Sequence, residues 1–170
     1  REPRLLGVDP QQLIDKEAFT FAKGDGWELL NGTEDGAVPA VVDINTGMWA
    51  LHVKVGDEME YPNEAGGKFP IRIVGFLANS MLQGDLIISE QNFVKQFPSA
   101  SGYRAFLIDA EDPKATEEEL SFALEDFGLE LTPATRRLAE FSQVQNTYLD
   151  IFQALGGLAL LLGSVGLGVV

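Results

Sequence analysis

Residues 151–170 form an uncharged run, IFQALGGLALLLGSVGLGVV, whose only polar side chains are those of Gln153 and Ser164. An α-helix needs about 20 predominantly apolar residues to cross the roughly 30 Å hydrocarbon core of a bilayer. The run therefore predicts a transmembrane helix. No Lys or Arg follows Arg137, whereas cytoplasmic flanks of membrane helices carry an excess of both. We therefore expect the preceding domain to lie outside the cytoplasm.

The charge of the chain lies entirely before this run. The net charge of −14 belongs to residues 1–150, and so acidic a surface repels nucleic acid. Solubility explains it, with binding of cations or basic peptides as the alternative. There is no cysteine, which excludes disulfides, thiolate zinc sites and cysteine nucleophiles. The chain begins without an initiator Met or a signal peptide, and we interpret it as a piece of a larger protein.

The first hundred residues show a mixture of strand and helix patterns. Strands are predicted at 5–8, 38–42, 58–61, 69–77 and 85–89, and helices at 11–21, 43–51 and 90–97. In the long strand, alternation places Ile71, Ile73 and Leu77 on one face and Arg72, Val74 and Phe76 on the other. Asp9, Asp43 and Asp57 are interpreted as turn and cap residues.

Residues 103–132 predict a β-α-β unit. A strand over Tyr103–Asp109 is followed by a helix opened by a capping box of Thr116 and Glu119, in which each side chain accepts one free backbone N–H. A returning strand follows over Leu129–Leu131. Such units occur in split β-α-β sandwiches.

The predicted helix of this unit has one apolar face. Its buried stripe comprises Leu120, Ala123, Leu124 and Phe127. Phe122 falls on the opposite face, where it either covers a neighbouring subdomain or is exposed. Gly128 suits the position just after the helix.

A last helix is predicted to open at Thr132-Pro133 and to continue through Val170, about 55 Å long at 1.5 Å per residue. Its apolar stalk face comprises Leu138, Phe141, Val144, Tyr148, Leu149 and Phe152. Small residues that let helix backbones approach closely follow at Gly156, Gly157, Ala159, Gly163, Ser164 and Gly168. So many of them favour a bundle of membrane helices over a single inert anchor.

Motifs that carry catalysis are missing from the sequence. There is no GxxxxGK[ST] phosphate loop, no HExxH zinc motif and no GxSxG nucleophile elbow. The one histidine, His52, is interpreted as a surface or packing residue, and the carboxylates of 117–119 fit the start of a helix. The sequence therefore predicts no catalytic site, no cofactor and no metal.

Several short motifs, in this order and spacing, resemble the FtsX-like permeases and more closely the MacB-type ABC transporter permeases with a periplasmic core domain. They are LLGVDP at 5–10, VPAVVD at 38–43, VGD at 55–57, IVGFL at 73–77, and TYL at 147–149 running into GGL at 156–158. Together they cover most of the chain.

The resemblance implies an α+β core domain over 1–132, a stalk helix over 133–150 and a transmembrane helix over 151–170. Within the core, a porter-like β-α-β subdomain comprises 1–35 and 101–132, and a small β-rich, sabre-like subdomain comprises 36–100.

The resemblance also implies a function and partners. The chain would be the extracytoplasmic core domain of a MacB-, FtsX- or LolC-like permease in the inner membrane, with the folded domain on the periplasmic side. It would couple cytoplasmic ATP hydrolysis to export or mechanotransmission. The implied partners are an ABC ATPase subunit or domain, which would hydrolyse the ATP, a second permease in a homodimer or heterodimer, and a periplasmic adaptor or carrier protein. No nucleic acid is among them.

Two other interpretations are open. The chain could be a membrane-anchored extracytoplasmic binding or sensor domain with no transport role. It could instead be a soluble protein that buries its last helix in its own core, although 150 acidic residues scarcely supply the apolar neighbours this would need.

Overall fold

The computed structural model describes residues 3–33, 35–100, 102–140, 151–153 and 155. The chain divides into two units, Arg1–Leu107 and Ile108–Val170. The described residues form a mixed α+β structure with a six-stranded sheet in the first unit. The predicted α+β class is thereby confirmed. In the described part of the chain no helix is long and apolar enough to cross a membrane.

The described residues of the first unit form six strands and two α-helices. The strands are β1 Arg4–Val8, β2 Phe21–Lys23, β3 Val38–Asp43, β4 Glu58–Pro62, β5 Lys68–Leu77 and β6 Asp85–Ser89. The helices are α1 Pro10–Asp15 and α2 Glu90–Gln96, and a 3₁₀ turn covers Trp27–Leu30. These bounds confirm the predicted strands at 38–42, 58–61, 69–77 and 85–89 and the predicted helix at 90–97.

The sheet is mixed, with the order β1-β6-β3-β5-β2 and with β4 also paired to β5. β1 runs parallel to β6, and β3 runs parallel to β5. β6 pairs antiparallel with β3, and β5 pairs antiparallel with both β2 and β4. Every residue of β3 and β6 is buried, as their almost continuous apolar sequences require for strands covered on both faces.

Each face of the sheet carries its own hydrophobic core. On one face, Ile71, Ile73 and Phe76 lie in a cluster against which Phe93 and Phe97 of the α2 region pack. On the other, Leu13 of α1 packs with Trp27, Leu30 and Leu77. The sheet is therefore the middle layer of this unit.

A β-bulge in β5 changes which residues share a face. The register with β3 shifts between Ala40↔Ile73 and Val41↔Gly75, so one extra residue is inserted. Phe76 consequently joins the cluster of Ile71 and Ile73, while Leu77 joins the opposite cluster. The predicted alternation, which grouped Leu77 with Ile71 and Ile73, is wrong beyond the bulge because one inserted residue reverses the side-chain faces.

Helix α1 is shorter than the predicted helix over 11–21. Asp9 caps it, accepting hydrogen bonds from the N–H groups of Gln11 and Gln12, and it ends at Asp15. Glu17 and Phe19 then adopt positive φ angles of 47° and 66°. This left-handed backbone cannot continue a right-handed helix, so Phe21 lies in β2 instead.

The predicted helix over 43–51 is also different in form. Thr46–Leu51 is a π-helical turn, and the two residues before it, 44 and 45, are α-helical. It ends at His52, whose φ is 56°. The apolar spacing of this segment is shared by α and π turns, so the sequence pattern did not separate them.

The strands predicted at Tyr103–Asp109 and Leu129–Leu131 are wrong, because both segments lack regular structure. The predicted β-α-β unit is therefore reduced to its helix, α3, over Pro113–Ala123. Asp112 caps it, accepting from Lys114 N and Ala115 N, so the helix begins one turn before the predicted cap Thr116.

Helix α3 buries none of its residues, and the expected buried stripe is not formed. Phe127 lies in a 3₁₀ turn over Glu125–Phe127 and is exposed, as is Phe122. Gly128 ends that turn with a φ of 67°, which confirms its predicted position after a helical segment.

Residues 134–140 and 151–153 are helical, as is residue 155. The first of these agrees with the predicted start of the last helix, which carries an Arg136–Glu140 ion pair of 3.5 Å. The rest of the predicted stalk and transmembrane helix lies outside the described residues.

Candidate functional site

A carboxylate at the end of β3 organises two loops of the first unit. Asp43 is fully buried and accepts hydrogen bonds from the backbone N–H of Ser80, at 2.6 Å, and of Asn45, at 2.9 Å. Thr46 Oγ1 accepts a further one from Gly84 N at 2.8 Å. Both loops are thereby tied to the end of β3. This agrees with the predicted turn role of Asp43, and both of its oxygens are occupied by backbone donors.

The π turn over Thr46–Leu51 presents two large apolar side chains to solvent. Trp49 is 73% exposed and Met48 is 45% exposed. The turn is firmly held, because Gly47 faces inward onto Phe76 and its carbonyl accepts from Val53 N at 3.0 Å. Single π turns are frequent at functional sites, and a rigidly displayed tryptophan is typical of a protein-binding surface. We name Met48 and Trp49 the apolar turn.

A second exposed apolar stretch follows α2. Tyr103, Phe106, Leu107 and Ile108 are each between 49% and 67% exposed, although four large apolar residues within six positions are typical of a buried strand. Tyr103 is the fixed point of this stretch, since its hydroxyl donates to Glu90 Oε1 at 3.0 Å. Clustered apolar exposure of this kind is typical of a surface that another segment or protein covers.

The environment of Tyr103 raises its pKa. The largest cause is the hydrogen bond that its hydroxyl donates to Glu90, followed by the negative charge of that carboxylate and, more weakly, of Asp9. A phenolate there would face two carboxylates and would lose its hydrogen bond, so the neutral phenol is favoured.

One open cleft of about 290 Å³ lies between the β4–β5 connection and the end of α2. Its lining comprises Asn63, Glu64, Ala65, Lys95, Gln96 and Pro98. The pKa of Glu64 is lowered by hydrogen bonds from Ser99. Small-molecule sites are usually enclosed, whereas this cleft is open to solvent and has the character of ordinary surface.

Within the described ranges, no group of three or more His, Asp or Glu side chains is arranged to hold a metal ion. His52 lies on the surface, in agreement with its interpretation. Asp9 and Asp57 are confirmed as cap and turn residues, since Asp57 Oδ2 accepts from Lys54 N at 2.8 Å.

The residues predicted for membrane and stalk packing are mostly outside the described part of the chain. Leu138 is half-buried in the helical segment 134–140, and Phe152 is helical and exposed. The other stalk residues, Phe141, Val144, Tyr148 and Leu149, lie outside it. So do all six small residues, Gly156, Gly157, Ala159, Gly163, Ser164 and Gly168.

The exposure of Met48 and Trp49 could not be predicted from the sequence. A Met-Trp pair between two strands is equally compatible with burial in a helix. Their outward orientation follows from Gly47, which faces inward onto Phe76. The exposure of residues 103–108 was also not predicted, because their apolar sequence is typical of a buried strand.

No family model matches the chain, and no curated protein matches it. Among solved structures, it is similar to the crystal structure of the periplasmic region of MacB from Actinobacillus actinomycetemcomitans, with 15% identity and a TM-score of 0.39. The match covers 72% of this chain and 56% of the MacB periplasmic region. A likeness at this level establishes neither a common fold nor a family.

Proposed function

We propose that the chain is the extracytoplasmic core domain of an ABC transporter permease of the MacB and FtsX type. In this role it is a permease component and not an enzyme. A cytoplasmic ATPase subunit or domain hydrolyses ATP, and the resulting movement of membrane helices is passed to the folded domain. The permease works as a homodimer or heterodimer in the inner membrane, with an adaptor or carrier protein on the periplasmic side.

The observation that carries this proposal is the uncharged run of 151–170, which lacks a basic flank on the near side. Residues 134–140, earlier in the chain, are helical. A run of this length fits a membrane span, and the missing Lys and Arg fit an extracytoplasmic flank. The places of the resembling motifs in the fold add support. The motif LLGVDP at 5–10 leads from β1 into the cap of α1. VGD at 55–57 directly precedes β4, and IVGFL at 73–77 forms the end of β5.

The parts of the permease follow the predicted division. We propose a porter-like subdomain from 1–35 and 101–132, a sabre-like subdomain from 36–100, a stalk over 133–150 and a transmembrane helix over 151–170. Strands of 1–35 and of 36–100 share one sheet, so the two subdomains would be joined through β1 and β2.

A second function is favoured by the apolar turn. A membrane-anchored extracytoplasmic binding or sensor domain would need an exposed, rigid contact surface and no further membrane helices. Trp49 and Met48 supply such a surface, whereas the small residues of 151–170 favour a bundle.

The gene sequence beyond Val170 separates the two functions. The permease requires a basic loop followed by two further apolar stretches of about 20 residues. A stop codon directly after the run, or a kinase-like domain, would contradict it. A neighbouring reading frame with a GxxxxGK[ST] motif would supply the ATPase that the permease needs.

A further inference from the structure

Strand β1 is fixed at its first residues to two other strands. Arg4 Nε donates to Asp85 Oδ1 at 2.8 Å, and Arg4 Nη2 donates to Asp85 Oδ2 at 3.0 Å. The Asp85 side chain is only 2% exposed, whereas that of Arg4 is 70% exposed. The hydroxyl of Tyr61 in β4 donates to the carbonyl of Pro3 at 2.8 Å. The entry to β1 is therefore tied both to the first residue of β6 and to β4.

The pairing of β1 with β6 decides how a pull along the chain would act on it. The strands are parallel, with Arg4 opposite Asp85 at one end and Val8 opposite Ser89 at the other. The chain enters β1 at the Arg4 end and leaves β6 at the Ser89 end. A pull on the residues before β1, against a pull on the residues after α2, would slide the strands past each other lengthwise. All the ladder hydrogen bonds then share the load, whereas a pull across the ladder breaks them one at a time.

The segment that leaves the ladder is packed on the strand that enters it. A Cβ atom added to Gly7 would lie 2.6 Å from Phe93 Cβ of α2, so helix and strand are in the closest contact that glycine allows. Phe93 in turn stacks on Phe97, with ring centroids 5.1 Å apart. The exit helix therefore cannot separate from the sheet without also uncovering β1.

We propose that β1 and β6 form a mechanical clamp, comprising Arg4–Val8 and Asp85–Ser89, with the Arg4–Asp85 pair as its lock. The clamp passes tension along the chain into the six-stranded sheet while the sheet stays folded. This inference rests on the proposed function for its biological meaning, because a permease of that type would hold the chain on both sides of this unit and move it. The lock resists separation because a bidentate Arg–carboxylate pair is strong and directional.

The test is single-molecule pulling on the 170-residue chain in two geometries. Because the chain has no cysteine, introduced pairs give unique handle positions. Arg1→Cys with Ala105→Cys loads the clamp lengthwise, and Arg1→Cys with Gln83→Cys opens the same ladder from its Arg4 end. We expect a rupture force about threefold or more higher in the lengthwise geometry, since the evenly spaced bonds of a parallel ladder are then loaded together. Equal forces in the two geometries would overturn the clamp.

The lock is tested by two variants in the lengthwise geometry. Asp85→Asn removes the carboxylate, and Arg4→Lys keeps the charge but removes the planar fork at an exposed side chain, so the chain still folds. Each should rupture about tenfold faster at constant force, as expected when a charge-assisted bidentate pair is lost. The matched control is Glu58→Gln, which removes the exposed 2.7 Å pair between Glu58 and Arg72 elsewhere in the same sheet and should leave the rate nearly unchanged. An Arg4→Lys rate equal to that of the control would overturn the role of the lock.

The clamp and the permease function can fail separately. Rupture forces are measured without the ATPase, so they report on the first unit and do not depend on the permease function. A chain that passes the pulling test but is not membrane-bound would retain the clamp and contradict the permease.

Discussion

Asp43 is a buried carboxylate that holds two loops of the first unit. It lies fully buried at the end of β3, and its two oxygens accept from the backbone of two different loops. Removing a buried acceptor leaves its donors unpaired, which is more destabilising than the net value of the hydrogen bonds themselves. The stability of the first unit should therefore depend on this side chain.

We expect Asp43→Ala to lower the free energy of unfolding by about 3 kcal/mol, because two backbone N–H groups lose their acceptor. Urea denaturation followed by tryptophan fluorescence measures this. The control is Asp57→Ala, which removes one exposed hydrogen bond and should change stability by less than about 1 kcal/mol. Equal effects of the two substitutions would contradict the role assigned to Asp43.

Tyr103 offers a test by pH. Its pKa is raised by the hydrogen bond to Glu90 and by that carboxylate's charge, so the folded state holds the phenolic proton more tightly than the unfolded chain does. The stabilisation is thus fully present below the ordinary tyrosine pKa and is lost as pH rises through the folded-state pKa. In Glu90→Gln, NMR titration of the Tyr103 ring should give a lower pKa than in the unsubstituted chain. A pKa that does not move would show that Tyr103 is not fixed to α2.

At the scale of elements, the contact of α2 with β1 depends on a residue without a side chain. We expect Gly7→Ala to destabilise the first unit by about 2 kcal/mol, because the new Cβ would overlap Phe93 and force the helix off the strand. Thermal unfolding measures this. Gly67→Ala is the control, since its Cβ would meet only ordinary contacts at 3.4 Å or more. A Gly7→Ala chain as stable as the control would contradict the packing of α2.

The start of α3 distinguishes two capping residues. The structure assigns the cap to Asp112, whereas the sequence pattern favours Thr116. Asp112→Ala should lower the stability of this helix by about 1 kcal/mol, and Thr116→Ala should have little effect. The Cα chemical shifts of residues 113–123 report the helix population. If Thr116→Ala loses helix and Asp112→Ala does not, the cap is Thr116 and the assignment to Asp112 is contradicted.

The elements that could be predicted are those whose sequences carry local signals. β3 and β6 are short apolar runs, and α2 has its cap at Ser89 and a proline after its end. The bulge in β5 has a local sign, because a glycine inside a strand pattern, here Gly75, is typical of a bulge. The alternation of apolar residues does not contain this sign, and the register with β3 is a tertiary feature. The strand pattern of 103–109 was misleading because a strand also needs a partner, and a single segment does not reveal whether one is present.

The candidate surfaces were less predictable than the fold. Trp49 is exposed because Gly47 faces inward against Phe76, a tertiary contact that the local sequence does not contain. Asp43 was predicted only as a turn residue, because its second hydrogen-bond partner, Ser80, is 37 positions away in the sequence. Contacts over such distances follow from strand order, and strand order cannot be read from periodicity.

At the scale of the whole molecule, the proposed role depends on helix packing in 151–170. Gly163→Ile places a large side chain where close approach of backbones is expected, and should impair transport or assembly while residues 3–107 stay folded. The control is Leu161→Ile, which conserves volume in the same run. Export by the whole permease and circular dichroism of the purified chain are the measurements. Unchanged export by Gly163→Ile would argue against a packed helix.

The most direct measurement is the side of the membrane on which the first unit lies. In the intact permease, Ala65→Cys places a thiol in the exposed β4–β5 connection, and a membrane-impermeant maleimide is added to intact spheroplasts. The permease without this substitution is the labelling control. We predict that the Ala65→Cys permease is labelled without permeabilisation and stays in the membrane fraction after an alkaline wash. Labelling only after permeabilisation, or recovery of the permease in the wash, would contradict an extracytoplasmic domain held in a membrane.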